Sequence, residues 1–535
     1  MPKIYLYPMK RLLNKQISVK QVAAIVIVGM GLSAFGATYF LPPSDPKPVI
    51  AKNGVKKDSA AADTVVAMDT TALGRLLACA DSITNARELV GGSWSFYLVE
   101  VDSGKEIYSH NITTGLVPAS VMKVVSTGTA LALLGAGHHF STSLQYDGKI
   151  DPATKILEGN IYIRGGGDPA LGSETFGGSV NAVIGNWREA VKRAGIDSVA
   201  GCIIADAEAW ERDPIPLGWA WEDVQSDYGI GPTALSIHEN SYDLYMTASA
   251  AGVSLKTEPR IPGMKLYNQA IHSPSVGKSY AYVAGAPFQD ERVVMGEVSS
   301  YLEARSAIPD PPLFCAEKLL SELKESGIGV RDSATTLRKI RLQGIKREKS
   351  ERKTISGMGS PSLGQLIFHT NHVSHNFYAE AILRGLSYGR TGYGSTTGGI
   401  AQVISFWKDK GIDLRGFYMA DGSGISRYNS VSTKQLVGML NYIAKDSSIF
   451  QTFYKSLPVA GESGTISKLA QESAAEGNLR AKSGTMSRVK AYAGYVRSKS
   501  GKLMTFAMIG NNTGWETVQL KAKFERLFIL MAELP

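Results

Sequence analysis

Apolar and polar residues alternate in two places that lie far apart in the chain. Near the front, WSFYLVEV at 94–101 and KEIYSH at 105–110 flank the turn DSG at 102–104, which predicts an antiparallel hairpin. Near the back, NLRAKSG at 478–484, VKAYAGYV at 489–496 and KLMTFAMIGNN at 502–512, the last two joined by SKSG at 498–501, predict three further antiparallel strands. Helical spacing predicts a helix over residues 70–82 and another over 515–533. Two strands from the front, three from the back and helices packed on them make one α+β domain from residues 65–139 and 356–535, an antiparallel sheet flanked by helices. Residues 140–355 between them are glycine-rich, with short strand signals such as GNIYIRG at 159–165, and are long enough for one or two smaller inserted domains.

A different pattern opens the chain. VAAIVIVGMGLSAFGATYFL, residues 22–41, has no charge and follows Lys3, Lys10, Arg11, Lys15 and Lys20. Twenty such residues span a bilayer, and the cations before them predict a cytoplasmic segment 1–21, an anchor at 22–41 and everything later outside. A cleaved signal peptide is the rival reading, with Ala34 and Gly36 as small residues for processing; the length of the leading segment favours the anchor. Either way the rest of the chain is exported. Residues 42–64 are proline-rich and charged and read as a linker.

Charge changes the picture only at this end. Of the formal net charge of +9, residues 1–57 carry +8, from nine Lys/Arg and one acid, so the remaining 478 residues are nearly neutral. That excludes the basic face a nucleic-acid partner requires. Cys79, Cys202 and Cys315 are odd in number and far apart, and give no disulfide framework.

The candidate chemistry starts at PASVMKVVSTGTALALL, residues 118–134. Pro118 suits a first helical turn, Gly135 and Gly137 end the segment, and residues i and i+3 of a helix share a face, so Ser120 and Lys123 meet. A lysine among Val121, Met122, Val124 and Val125 is desolvated and its pKa lowered, so its neutral form is available as a base. Two later stretches complete a site. SHN, Ser374 to Asn376, lies between the helical runs LGQLIFHTNH and FYAEAILRGL and brings a hydroxyl and an amide, although a helix cap uses the same residue types. AKSGT, 481–485, puts Lys482, Ser483, Gly484 and Thr485 on a strand where glycine lets a substrate backbone lie along the edge. A solvated edge lysine is the ordinary alternative for that stretch.

Ser120-Val121-Met122-Lys123, Ser374-His375-Asn376 and Lys482-Ser483-Gly484, in that order, resemble the S-x-x-K, S-x-N and K-[ST]-G motifs of penicillin-recognising serine enzymes. The gap of about 250 residues between the first two resembles one branch, the class C low-molecular-mass penicillin-binding proteins (peptidase family S13), the PBP4-type D-alanyl-D-alanine carboxypeptidases/endopeptidases. GNIYIRGGGDPAL at 159–171, PLGWAWEDVQSDYGIGPTALSIHEN at 216–240, DGSGISRYNSVS at 421–432 and LPVAGESGTI at 457–466 agree with it. The resemblance implies a penicillin-binding-protein/β-lactamase-like serine transpeptidase fold and hydrolysis of D-alanyl-D-alanine-type bonds in peptidoglycan stem peptides, without cofactor or metal. It implies an acyl-enzyme on Ser120, Lys123 as its base, Ser374, Asn376 and Lys482 as the other catalytic groups, and backbone N–H groups of Ser120 and Thr485 as the oxyanion hole. Lys482, Ser483, Gly484 and Thr485 would bind substrate, and β-lactam antibiotics would acylate the same serine. It places the enzyme in the cell envelope, periplasmic or extracytoplasmic; anchoring to the inner membrane by residues 22–41 rests on the uncharged run alone and departs from the family, whose members are usually secreted through a cleaved signal. Ser483 stands where the family commonly has threonine.

A β-lactamase shares the three motifs but has no use for an insertion of this length, and an inactive wall-binding module would not need every motif hydroxyl and amine. His369, His372 and His375 recur every three residues, which would bring three imidazoles near one helical face, yet no HExxH-type acid accompanies them and metal binding is not expected.

Overall fold

The computed structural model describes residues 71–345 and 350–535. The expected anchor at 22–41, the segment 1–21 and the linker 42–64 lie outside the described residues, among which no helix is long and apolar enough to cross a membrane.

The sheet predicted from the two ends of the chain forms as a five-stranded antiparallel sheet, in the order Arg480–Met486, Val489–Arg497, Leu503–Asn511, Ser93–Glu100, Glu106–His110. Front and back are joined along the whole length of one ladder, from Ser93 opposite Asn511 to Glu100 opposite Met504. Helices cover both faces. Ala491, Ala493, Ala507 and Ile509 face a core built from the helices Met122–Leu134, Leu363–His372, Asn376–Thr391 and Thr433–Lys445. Trp94, Phe96, Leu98, Tyr492, Phe506 and Met508 face the helices Ala72–Thr84 and Thr517–Ala532. This is why Leu503–Asn511 is buried throughout and reads as a nearly continuous apolar run.

Apart from Lys123, the Met122–Leu134 helix is apolar or small on every side, as a helix in the middle of a core must be. It ends at Gly135, whose φ of 80° only glycine takes without strain. Its start departs from expectation. Ser120 lies on a separate 3₁₀ turn, Ala119–Val121, and Ala119 has a left-handed φ of 48°. A 3₁₀ turn also brings i and i+3 together, so the predicted meeting of Ser120 and Lys123 survives the change of helix type.

The stretch between the two parts of the sheet has its own core around Leu144, Ile161, Ile163, Trp187, Phe314 and Leu319. A mixed sheet there runs Ala334–Thr336, Ile203–Asp206, Ile161–Gly165, Ser141–Tyr146, Lys353–Gly359. Its last strand spans the expected junction at 355/356, pairing Gly359 with Ser141. Two three-stranded sheets follow from residues 241–307. A groove of about 1200 Å³ lined by Tyr162, Arg164, Asp206, Leu337 and Arg352 contains none of the motif residues.

Candidate active site

The three motifs come from the start of a central helix, the loop between two helices, and an edge strand. Lys123 is fully buried, and its Nζ donates to Ser120 Oγ at 2.9 Å, Asn376 Oδ1 at 2.6 Å and the Ser423 carbonyl at 2.7 Å. An ammonium has three hydrogens, and these acceptors use all of them. In the neutral amine two hydrogens serve Asn376 and Ser423, which leaves the lone pair directed at the Ser120 hydroxyl. Burial lowers the pKa of Lys123 from 10.5 to about 7, against the pull of the carboxylates Asp421 and Glu380, which favour the charged form.

Lys482 forms the second pair. Its Nζ donates to Ser374 Oγ at 2.9 Å and to the Ser483 carbonyl at 2.8 Å. Burial, and then the charges of Lys123 and Lys490, hold its amine well below the usual lysine range. Asn376 links the first two motifs to the intervening stretch, since its Oδ1 accepts from Lys123 and its Nδ2 donates to the Tyr228 carbonyl at 2.9 Å. Ser374 sits at a left-handed φ of 66°, a strained conformation for a residue with a side chain and one that often marks a functional position.

Gly484 is where the strand and the nucleophile's turn touch. A Cβ there would lie 2.5 Å from the Pro118 carbonyl oxygen and 3.2 Å from Ser120 N, so only glycine permits this approach. The Ser120 N–H therefore borders the strand edge that carries Thr485, the other residue from which an oxyanion-hole N–H is expected. The hydroxyls of the other two members of the strand motif have partners of their own: Ser483 Oγ donates to Thr465 Oγ1 at 2.8 Å, and Thr485 Oγ1, on an exposed residue, accepts from Lys490 Nζ at 2.6 Å.

Behind this site lies a support that the motifs do not reveal. Glu380, fully buried, accepts from Ser423 N–H at 2.7 Å and Gly422 N–H at 3.1 Å, which fixes the carbonyl that holds Lys123. Its carboxyl is raised above the ordinary range by burial and by Asp421. Asp421, also buried, accepts from Ser426 N–H at 2.6 Å, Asn429 Nδ2 at 2.7 Å, Gly424 N–H at 2.8 Å and Trp219 Nε1 at 2.8 Å. Gly424, at φ 89°, packs so closely on Ala119 that a side chain would run into its carbonyl. The sequence signal for this loop was its acid among glycines and serines, DGSGIS.

The histidine stripe does not converge. The helix ends at His372 and the chain turns through Ser374, so the period of three is lost before His375. His372 stacks on Phe368, with ring centroids 4.9 Å apart, while His369 and His375 face each other at 5.4 Å. His375 Nε2 lies 3.5 Å from Glu239 Oε2. Among the described residues no group of three or more His, Cys, Asp or Glu is placed to hold a metal ion.

Known proteins share this arrangement of chain and fold. The D-alanyl-D-alanine carboxypeptidase of Actinomadura sp. (strain R39) is 27% identical over 500 residues, 88% of this chain and 89% of that protein. The D-alanyl-D-alanine carboxypeptidase DacB of Haemophilus influenzae is 24% identical over 459 residues, 83% of this chain and 90% of that protein. The crystal structure of penicillin binding protein 4 (dacB) from Haemophilus influenzae superposes with a TM-score of 0.72 at 22% identity, covering 84% of this chain and 97% of that one. Its complex with a novel β-lactam superposes with a TM-score of 0.67 at 20% identity, covering 86% and 98%. The profile of the D-Ala-D-Ala carboxypeptidase 3 (S13) family matches residues 76–532, and with the fold and motif order above this establishes that the chain belongs to that family.

Proposed function

We propose that Ser120 is the nucleophile of a serine D-alanyl-D-alanine carboxypeptidase acting on peptidoglycan stem peptides, and that penicillin acylates the same serine. The observation that carries this reading is the buried amine of Lys123 bonded to Ser120 Oγ at 2.9 Å, with its other hydrogens committed to Asn376 and Ser423. At pH 7 an amine with the ordinary pKa of 10.5 is neutral in about one molecule in 3000, whereas one lowered to about 7 is neutral in about half. Burial thus converts an inert cation into a base at working pH.

Ser120 Oγ attacks the carbonyl of the terminal bond as its proton passes to Lys123 Nζ. The oxyanion is received by the N–H groups of Ser120 and Thr485. As the C–N bond breaks, the proton that Lys123 took from Ser120 is relayed by way of Ser374, whose hydroxyl is held by Lys482, to the amine of the departing D-alanine. Water then attacks the ester as Lys123, neutral again, takes its proton and returns it to Ser120 Oγ when the acyl group leaves. Asn376 holds Lys123 and presents its amide toward the peptide, while Lys482, Ser483, Gly484 and Thr485 line the substrate's strand-like path, with Lys482 and Thr485 at its terminal carboxylate.

The same chemistry opens a cross-link when the leaving amine belongs to a second stem peptide, so endopeptidase activity belongs to the proposal. So does the division of labour in the chain: residues 65–139 and 356–535 as the catalytic domain, 140–355 as inserted domains. The substrate places the enzyme outside the cytoplasm. Residues 22–41 hold it at the inner membrane, on the strength of twenty uncharged residues behind five cations.

Incubation of the purified protein with monomeric and cross-linked muropeptides tests this. Release of D-alanine and cleavage of dimers by the wild type, both lost in Ser120→Ala, is the expected result. Rapid steady hydrolysis of penicillin with no peptide product would point instead to a β-lactamase.

A further inference from the structure

Lys490 is a buried cation that the three motifs leave unused. It lies on the Val489–Arg497 strand directly opposite Thr485, and residues opposite each other on a ladder project to the same face of the sheet. Its Nζ donates to Thr485 Oγ1 at 2.6 Å and sits 4.8 Å from the centre of the Tyr492 ring. Among the described residues no carboxylate forms an ion pair with it, and the charge that bears on it is another cation, Lys521. Buried lysines are ordinarily paired, so a buried amine facing only a hydroxyl and a ring stands ready for an anion that is not part of the fold. Burial lowers it to about 8, which leaves about nine molecules in ten charged at pH 7.

The direction of the hydrogen bond supplies the rest. An ammonium cannot accept, so Thr485 Oγ1 accepts from Lys490 and its own hydrogen must point elsewhere. Thr485 is exposed, next to the glycine that touches the nucleophile's turn. A hydroxyl that accepts from a cation is also the stronger donor.

We propose that Lys490 is a positioning residue for the anionic end of the substrate: acting through the Thr485 hydroxyl, it makes the site select peptides that end in a free carboxylate over those that end in a neutral amide. This rests on the reading of Thr485 as the group that receives the terminal carboxylate.

The test compares one acyl-D-alanyl-D-alanine peptide with its C-terminal carboxamide, on wild type, Lys490→Met and Lys490→Arg. Lys490→Met is expected to raise KM for the acid about tenfold with kcat within about twofold, and to leave the amide unchanged, so the preference for the acid shrinks about tenfold. Lys490→Arg restores most of it. If Lys490→Met does not fold, Lys490→Gln, which keeps an N–H for Thr485 without the charge, carries the same expectation. Equal losses on acid and amide, or an unchanged KM for the acid, would overturn the proposal. A wild type inactive on both peptides would instead overturn the assignment of the enzyme's function.

Discussion

Penicillin acylation should follow the neutral fraction of Lys123. With the amine lowered to about 7, that fraction is about one half at pH 7, one in eleven at about pH 6 and one in a hundred at about pH 5. The acylation rate constant should therefore fall about tenfold per pH unit below 7 and level off above about pH 8. Lys123→Met fills a similar volume and removes the base, so acylation should be at least about 100-fold slower and lose this limb. Rapid-quench labelling with fluorescent penicillin from about pH 5 to about pH 9 measures both. The same lowering makes a stability prediction. Between about 7 and 10.5 the unfolded chain keeps the Lys123 proton that the folded chain has lost, so this residue makes stability rise with pH across that window, by about 5 kcal/mol in all. Lys123→Met should lack that rise. A wild-type limb still climbing above about pH 9, or normal acylation by Lys123→Met, would refute a neutral lysine base.

Three further substitutions probe the parts around it. Gly484→Ala puts a Cβ 2.5 Å from the Pro118 carbonyl oxygen and should give a folded protein, by near-UV circular dichroism, that labels at least about 100-fold more slowly. Asp421→Asn replaces a buried carboxylate that accepts four hydrogen bonds, and should destabilise by about 3 kcal/mol, seen as a melting temperature lower by several degrees. Ser374→Ala removes the hydroxyl that Lys482 holds at 2.9 Å and should slow acylation about 100-fold while leaving the melting temperature close to that of the wild type.

Much of this site was legible because its motifs are short and each sits on one element. A serine and lysine three apart, or a lysine and glycine two apart on a strand, have their geometry fixed locally, and the alternating runs at the two ends of the chain carried the sheet. The supports were not legible in the same way. Glu380 lies four residues after Asn376 on one helix and reads as a surface acid, until the fold brings the N–H groups of Gly422 and Ser423 to it. Trp219 and Tyr228 reach the site from the intervening stretch, and no local pattern links them to Asp421 and Asn376. Lys490 lies in the run VKAYAGYV, whose alternation does not tell which faces of the strand are covered, and helices cover both faces of that sheet. The histidine period was a true repeat in sequence, but the helix needed to give it one face stops at His372.

The central claim, a serine acyl-enzyme formed at Ser120, is tested most directly by mass spectrometry of the protein after exposure to penicillin, followed by peptide mapping. One adduct carrying the whole penicillin, confined to the peptide that contains Ser120 and absent from Ser120→Ala, is the result this account predicts. An adduct on another residue, or undiminished labelling of Ser120→Ala, would contradict it.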